Sequence, residues 1–413
     1  MFNILQNVRQ AEGVSHQLMV NSDVVVVGAG IAGLICAQRL RQMGHRVIVV
    51  EKSRGLGGRL ATRRLSSGHA DHGVRCLEVQ GALTQGLIDR LCKCQILQPW
   101  VDRIHTFDRS GILHLDDSPQ PRFTSATGIT SVAKFLGTGL EIWHGQRVKG
   151  ITATAQQTWD LTLEPTGAPS ASRLTANALV ITIPAPQALA LLEPLLHQGL
   201  APDRVAMVRS VKFSPCITSI AAYSAVQQPI ATSLPWRAVT FLDDPDLDWV
   251  AIDSSKRPDA PCPTVIVQST ARFAKEHLET SDLQRVGQQL LERATVLASW
   301  LAAPEVLQVH RWRYAFATQP LPVDCVVADY PLPILCGGDW CGGGDRENGD
   351  FDQKHAKFDT RGLRIESALR SGLSAAEQLG MKFQGISLEA ASQAVSLSNL
   401  KVGAMLAETI DQI

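Results

Sequence analysis

Val24, Val25, Val26 and Val27 form an unbroken β-branched run, and Val47 to Val50 form a second. Runs of this kind, too short for a helix and without polar alternation, suit parallel strands buried on both faces. Between them Leu34, Ala37 and Leu40 recur at helical spacing, and Gly44 stands where a helix would stop, which predicts a βαβ unit. Further on, Ile129, Val132, Phe135 and Leu136 predict a helix. Strands are expected at Leu140 to Trp143, Val148 to Thr154, Trp159 to Leu163 and Leu174 to Ile183, where Pro184 and Pro186 mark an exit. The stretch Ala185 to Pro331 then reads as a second domain, with helices at Gln187 to Leu196 and Leu283 to Leu301. Its strands are expected at Ile217 to Tyr223, Trp249 to Ile252 and Thr264 to Gln268. A last buried strand at Leu332 to Leu335 and a helix opening at Arg364 return the chain to the first domain. The short pieces Ile104 to Phe107 and Gly111 to Leu115 suit a small antiparallel insertion.

The turn after Val27 carries chemistry. Gly28, Gly30 and Gly33 have the G-x-G-x-x-G spacing, in which the first glycine permits a tight turn, the second a close approach by pyrophosphate and the third close helix–strand packing. Glu51 closes the second strand, where a carboxylate accepts hydrogen bonds from ribose hydroxyls and repels a 2′-phosphate, so NADP is disfavoured there. Gly58 and Arg59 follow, with Gly57 before them and Thr62, Arg63 and Arg64 after; bare backbone beside guanidinium suits a phosphate or a flavin edge. Ile31, Ala32, Lys52 and Val148 are expected beside the same cofactor.

Composition narrows the class. The 413 residues balance 39 basic against 39 acidic side chains, with 45% hydrophobic content, so nothing points to nucleic acid or a charged membrane surface. The longest apolar candidate, Leu179 to Leu196, is broken by Pro184, Pro186 and Pro194, and no stable membrane span is expected. The first residues lack the apolar core of a secretory signal and read as a flexible extension. Nine scattered cysteines show no zinc spacing and fit reduced thiols in a cytoplasmic protein.

Two distant stretches distinguish between dinucleotides. Gly338 and Asp339 follow the last strand, and a carboxylate there can hold the ribityl hydroxyls of a flavin. Arg364 and Ile365 open a helix whose N-terminal amides and dipole would stabilise negative charge on a reduced flavin ring. This pairing selects FAD over NAD. The candidate catalytic residues are His72, just past the basic cluster, and Trp312 and Arg313 in the hexapeptide His310 to Ala315, which can line a pocket for a flat anionic ligand.

Together these residues resemble the flavin amine oxidase superfamily, through GAGIAGL, Glu51, GGR with TRR, Gly338-Asp339 and RIESALRSG. Within it they resemble the renalase-like FAD-dependent oxidoreductases, through Asp71-His72-Gly73, DSSKRP at Asp253 to Pro258, HRWRYA and GGDW. The resemblance implies an α/β fold in which a Rossmann-type FAD-binding domain (21–65, 122–184 and 332–380) interleaves with a substrate domain built on an antiparallel sheet (66–121 and 185–331). Extensions are expected at 1–20 and 381–413. It also implies hydride transfer from a reduced nicotinamide dinucleotide isomer to flavin N5, with O2 as acceptor and peroxide as product. An amine oxidase, a desaturase of a lipophilic substrate, and a non-catalytic redox-sensing flavoprotein remain as alternatives. Val74, Arg75, Cys76 and Leu77 replace the small and aromatic residues usual after Asp-x-Gly. A polar insertion, Asp345 to Thr360, reads either as a disordered loop or as a lid.

Overall fold

A computed structural model describes residues 19–66, 68–166, 173–342, 362–395 and 399–413. The polar insertion and nearly all of the N-terminal extension lie outside these residues.

The βαβ unit forms as its periodicity predicts, with β1 (Met19–Val27), α1 (Ile31–Gln42) and β2 (Val47–Glu51). Val24 to Val26 are wholly buried and every residue of β2 is buried, because the sheet has helices on one face and further apolar structure on the other. Each such valine contributes roughly 1.5–3 kcal/mol of burial. Parallel neighbours extend the sheet through Glu141–His144 beside β2, Arg173–Ile181 beside β1, and Ile334–Cys336 beyond. An antiparallel pair, Gln146–Ala153 with Trp159–Pro165, branches from the start of Arg173–Ile181. The element Gly362–Phe383 packs across α1. Gly372 makes that crossing close, since a Cβ there would stand 2.3 Å from the Ala32 carbonyl oxygen.

The second sheet has seven strands, with Val306–Gln319 at one edge, then Lys212–Ala222, Thr264–Ser269, Leu247–Ile252 and Ala238–Phe241. At its far edge the short pieces His105–Phe107 and Leu113–Leu115 complete this sheet, His105–Phe107 pairing parallel to Ala238–Phe241. A separate three-stranded sheet joins Leu77–Glu78, Arg122–Thr124 and Gln98–Val101. The hairpin of β3 (Thr62–Leu65) and β4 (Gly68–Asp71) bridges the two domains.

One expectation is revised: the helix foreseen over Leu283 to Leu301 ends at Ala294, after which a turn and a short 3-10 segment, Ser299–Ala302, follow. In the stretch 381–413, helices Leu388–Ala394 and Asn399–Asp411 bury Leu388, Leu406 and Ile410 in the core around α1. Arg39 of α1 forms ion pairs with Glu377 of Gly362–Phe383 and with Glu408 of Asn399–Asp411.

Candidate active site

A cavity of about 2100 Å³ runs from the turn after β1 to the rings of the Val306–Gln319 strand. It exceeds the roughly 300–1,000 Å³ typical of a site for one small ligand.

At the Rossmann end each glycine has its own task. Gly28 adopts φ +106°, a left-handed conformation. A Cβ on Gly30 would meet nothing within 4 Å, so this backbone faces open cavity, as close approach by a ligand requires. Gly33 lies off the cavity lining; a Cβ there would stand 2.0 Å from the Gly28 carbonyl oxygen, so it serves helix–strand packing. Glu51 is buried, and its two carboxylate oxygens accept from the amides of Ala29 (2.9 Å) and Ser53 (2.8 Å). Each oxygen keeps a second lone pair for an exogenous donor. Ile31, Ala32, Lys52, Gly58 and Val148 line the same space, Lys52 from the exposed rim.

Midway along the cavity, Arg59 and Asp339 meet each other. The guanidinium donates through both terminal nitrogens to the two carboxylate oxygens at 2.6 Å, and again to the Ala315 carbonyl at 3.0 Å. Gly338 sits behind them with φ +147°, its amide donating to Ser371 Oγ at 2.9 Å. Arg364, Ile365 and Ala368, on the first turns of Gly362–Phe383, complete this wall. Glu366 points away from the cavity and accepts from the amides of Leu83 (3.1 Å) and Thr84 (2.7 Å), capping the Ala82–Lys93 helix.

At the far end three rings converge. His72 and His310 lie edge-on with centroids 4.9 Å apart, and Trp312 lies 5.4 Å from His72 and 4.2 Å from His310. Trp312 Nε1 donates to the His72 carbonyl at 3.0 Å, which fixes both residues. Burial, then His310 and the Arg63 guanidinium, push the His72 imidazole down to about 3, against the opposing carbonyls of Ala61 and Ala70. Burial and Arg63 bring His310 down to about 4. Both rings are therefore neutral near pH 7. Arg313 departs from expectation: strand alternation carries it to the face away from Trp312, where it pairs with Glu279 at 2.5 and 3.1 Å, half-exposed at the cavity rim.

A buried charge cluster, also unforeseen, holds His72 in place from behind. Asp71 accepts from Thr62 Oγ1 (2.8 Å) and the Ile129 amide (2.9 Å) and pairs with Lys256 and Arg257, each at 3.3 Å. Asp253 pairs with Lys256 and Arg257, both at 2.7 Å, and accepts from the Asp71 amide at 3.1 Å. Burial raises Asp253, but Lys256 and Arg257 outweigh it and hold the carboxyl below its ordinary range. For Lys256 burial acts downward, and Asp253 and Asp71 reverse it. The DSSKRP motif thus knits β4 to the substrate sheet.

Residues 26–91 match the NAD(P)-binding Rossmann-like domain family. Over 89% of this chain and the whole of the other, the backbone superposes on putrescine oxidase bound to putrescine with a TM-score of 0.60 at 12% identity. The fold is that seen in this putrescine oxidase structure. Sequence similarity is local within this fold: 37% identity over 87 residues to lysine-specific histone demethylase 1 homolog 1 of Arabidopsis thaliana, covering 21% of this chain and 10% of that protein. Over 45 residues the chain is 49% identical to the flavin-dependent L-tryptophan oxidase RebO of Lentzea aerocolonigenes, covering 11% of this chain and 10% of that protein. The chain thus spans about a tenth of the length of the curated relatives it matches. Among the described residues, no helix is long and apolar enough to cross a membrane, and no group of three or more histidine, cysteine or acidic side chains is placed to hold a metal ion.

Proposed function

We propose that this protein is an FAD-dependent oxidoreductase that accepts a hydride from a reduced nicotinamide dinucleotide isomer and passes the electrons to O2, releasing hydrogen peroxide. One observation carries the reading: a single cavity joins a dinucleotide-binding turn to an aromatic end that is lined by arginine. The residues fit FAD. Gly30 leaves room for a pyrophosphate, Glu51 retains acceptor capacity for ribose hydroxyls, and Arg59, Gly338 and Asp339 stand where the middle of an extended dinucleotide would pass. Bound flavin supplies the hydride acceptor, at N5.

The chain's own contribution is placement and exclusion of water. His72, neutral and weakly basic, is unsuited to taking a proton at neutral pH, which matches a substrate ring that is already an electron-rich donor. Trp312 and His310 offer flat surfaces against which such a ring can stack. A protonated amine is the less favourable occupant, because Arg63 places positive charge beside both histidines.

The test is to purify the protein, release and identify its flavin, and mix it anaerobically with isomeric dihydronicotinamide dinucleotides or with amines. Rapid loss of the flavin visible band with the nicotinamide isomers, followed by peroxide on admitting air, is expected. Bleaching by amines alone overturns the substrate assignment, and a flavin-free protein overturns the whole reading.

A further inference from the structure

The arginines around the ring cluster are not equivalent. Arg59 is held by Asp339, Arg75 by Gln268 and Asp248, and Arg313 by Glu279. Arg311 donates to the Leu278 carbonyl. Arg63 differs: it lines the cavity from β3, and its Nε is buried without a hydrogen-bond partner among the described residues. Thr62, its neighbour, turns the other way to bond Asp71, and Asp71 is in turn engaged by Lys256 and Arg257. The nearest buried carboxylate is thus already matched by two other cations. His72, only 6% exposed, also lines the cavity, its ring set against the Ala61 and Ala70 carbonyls.

Buried polar groups without partners are costly unless a ligand satisfies them. A guanidinium that lines the cavity with no carboxylate paired to it among the described residues, beside the imidazoles of His72 and His310 and with Trp312 closing the wall, has the complement of an oxyanion. We infer that Arg63 and His72, backed by His310, form an oxyanion-binding subsite at the substrate end of the cavity, taking a phosphate or a carboxylate group of the molecule to be oxidised. The inference deepens the functional reading above and rests on it for the word substrate. The subsite itself is a binding property that stands or falls separately. Arg63 supplies the charge and a forked pair of donors, and His72 adds a neutral donor whose tautomer the anion selects.

The experiment is isothermal calorimetry on the flavin-loaded protein with two probes, inorganic pyrophosphate and benzoate, repeated while following the visible flavin spectrum. Saturable binding of one or both is expected, with a perturbed flavin spectrum. Tighter pyrophosphate binding assigns the phosphate source, and tighter benzoate binding the carboxylate. Arg63→Met should weaken the preferred probe at least tenfold, Arg63→Lys should recover part of the loss, and Arg272→Met, an exposed charge paired with Glu276, should leave affinity unchanged. Equal affinity in wild type and Arg63→Met, with flavin content matched, overturns the subsite, as does the absence of saturable binding of either probe. Flavin content, measured in every preparation, tells that failure apart from failure of the flavoprotein reading.

Discussion

Arg59 and Asp339, 280 positions apart, close on one another through two parallel hydrogen bonds of 2.6 Å. The pair links the loop that follows the Rossmann unit to the turn after the last strand of the same sheet, and so joins the two ends of the cofactor cavity wall. Asp339 is the more buried partner, with 7% of its side chain exposed against 30% for Arg59. Removing the arginine alone leaves a buried carboxylate without its cation, which costs about 1–3 kcal/mol. Arg59→Met should therefore lower the unfolding midpoint and the flavin content together, while the double variant Arg59→Met/Asp339→Asn should lose less than the sum of the single losses. A double-mutant cycle by urea unfolding measures the coupling. Strict additivity would show that the pair is not a working unit.

Glu51 has two duties, because the oxygens available to a ribose already hold the amides of Ala29 and Ser53. Glu51→Ala should release the turn between β1 and α1 as well as the cofactor contact, and weaken flavin retention by roughly ten- to a hundred-fold, which is about 1.4–2.8 kcal/mol. Glu51→Gln keeps an acceptor but loses the charge, and should fall between. Flavin-to-protein ratio after gel filtration in dilute solution checks both; unchanged retention in Glu51→Ala would move the ribose contact elsewhere.

How much of this was readable in the sequence depended on distance along the chain. The Rossmann unit was legible because its signals are local: the valine runs, the three glycines and Glu51 fall within one short stretch and each has one physical meaning. Arg59 and Asp339 were each read as facing the cofactor singly, since neither residue's neighbours disclose a partner so far away. Glu366 lies too far from its partners for its role to be legible, since it caps a helix 283 positions earlier. Arg313 is a different case. All of His310 to Ala315 line the cavity, but Arg313 reaches it only at the rim, where Glu279 holds it, a partner 34 positions away that the hexapeptide does not disclose. The apolar spacing of Leu388, Leu406 and Ile410 likewise carried a packing signal that the chain's end position obscured.

The cluster of Asp71, Asp253, Lys256 and Arg257 should tolerate least. All four side chains are nearly withdrawn from solvent, Arg257 being the most open at 10%. Taking away one charge from such a set strands its partner, which costs roughly 3–5 kcal/mol. Lys256→Met is expected to destabilise by this amount and to disorder the His72 end of the cavity, seen as lower probe affinity at the same flavin content. Arg272→Met, at an exposed pair, should change stability by less than about 0.5 kcal/mol. A Lys256→Met protein as stable as wild type would show the cluster to be dispensable.

The two histidines set an acid limit. In the unfolded chain an imidazole takes up a proton near pH 6.5. In the folded protein burial, with Arg63 adding to it, lowers His72 to about 3 and His310 to about 4. Between these values and pH 6.5 the unfolded chain binds protons that the native state refuses, so stability rises with pH in this window. The contribution is complete above pH 6.5 and is lost as the pH falls toward the folded values, at up to about 1.4 kcal/mol per pH unit for each ring. Urea midpoints measured at pH 7.5, 6 and 5 should fall progressively in the wild type. His72→Asn and His310→Asn should each flatten that acid limb while leaving the protein less affected by acid than its parent, and Arg63→Met should flatten it in part by relieving both rings. Parallel pH dependence in the wild type and all three variants would show that the rings are already solvated and titrate normally.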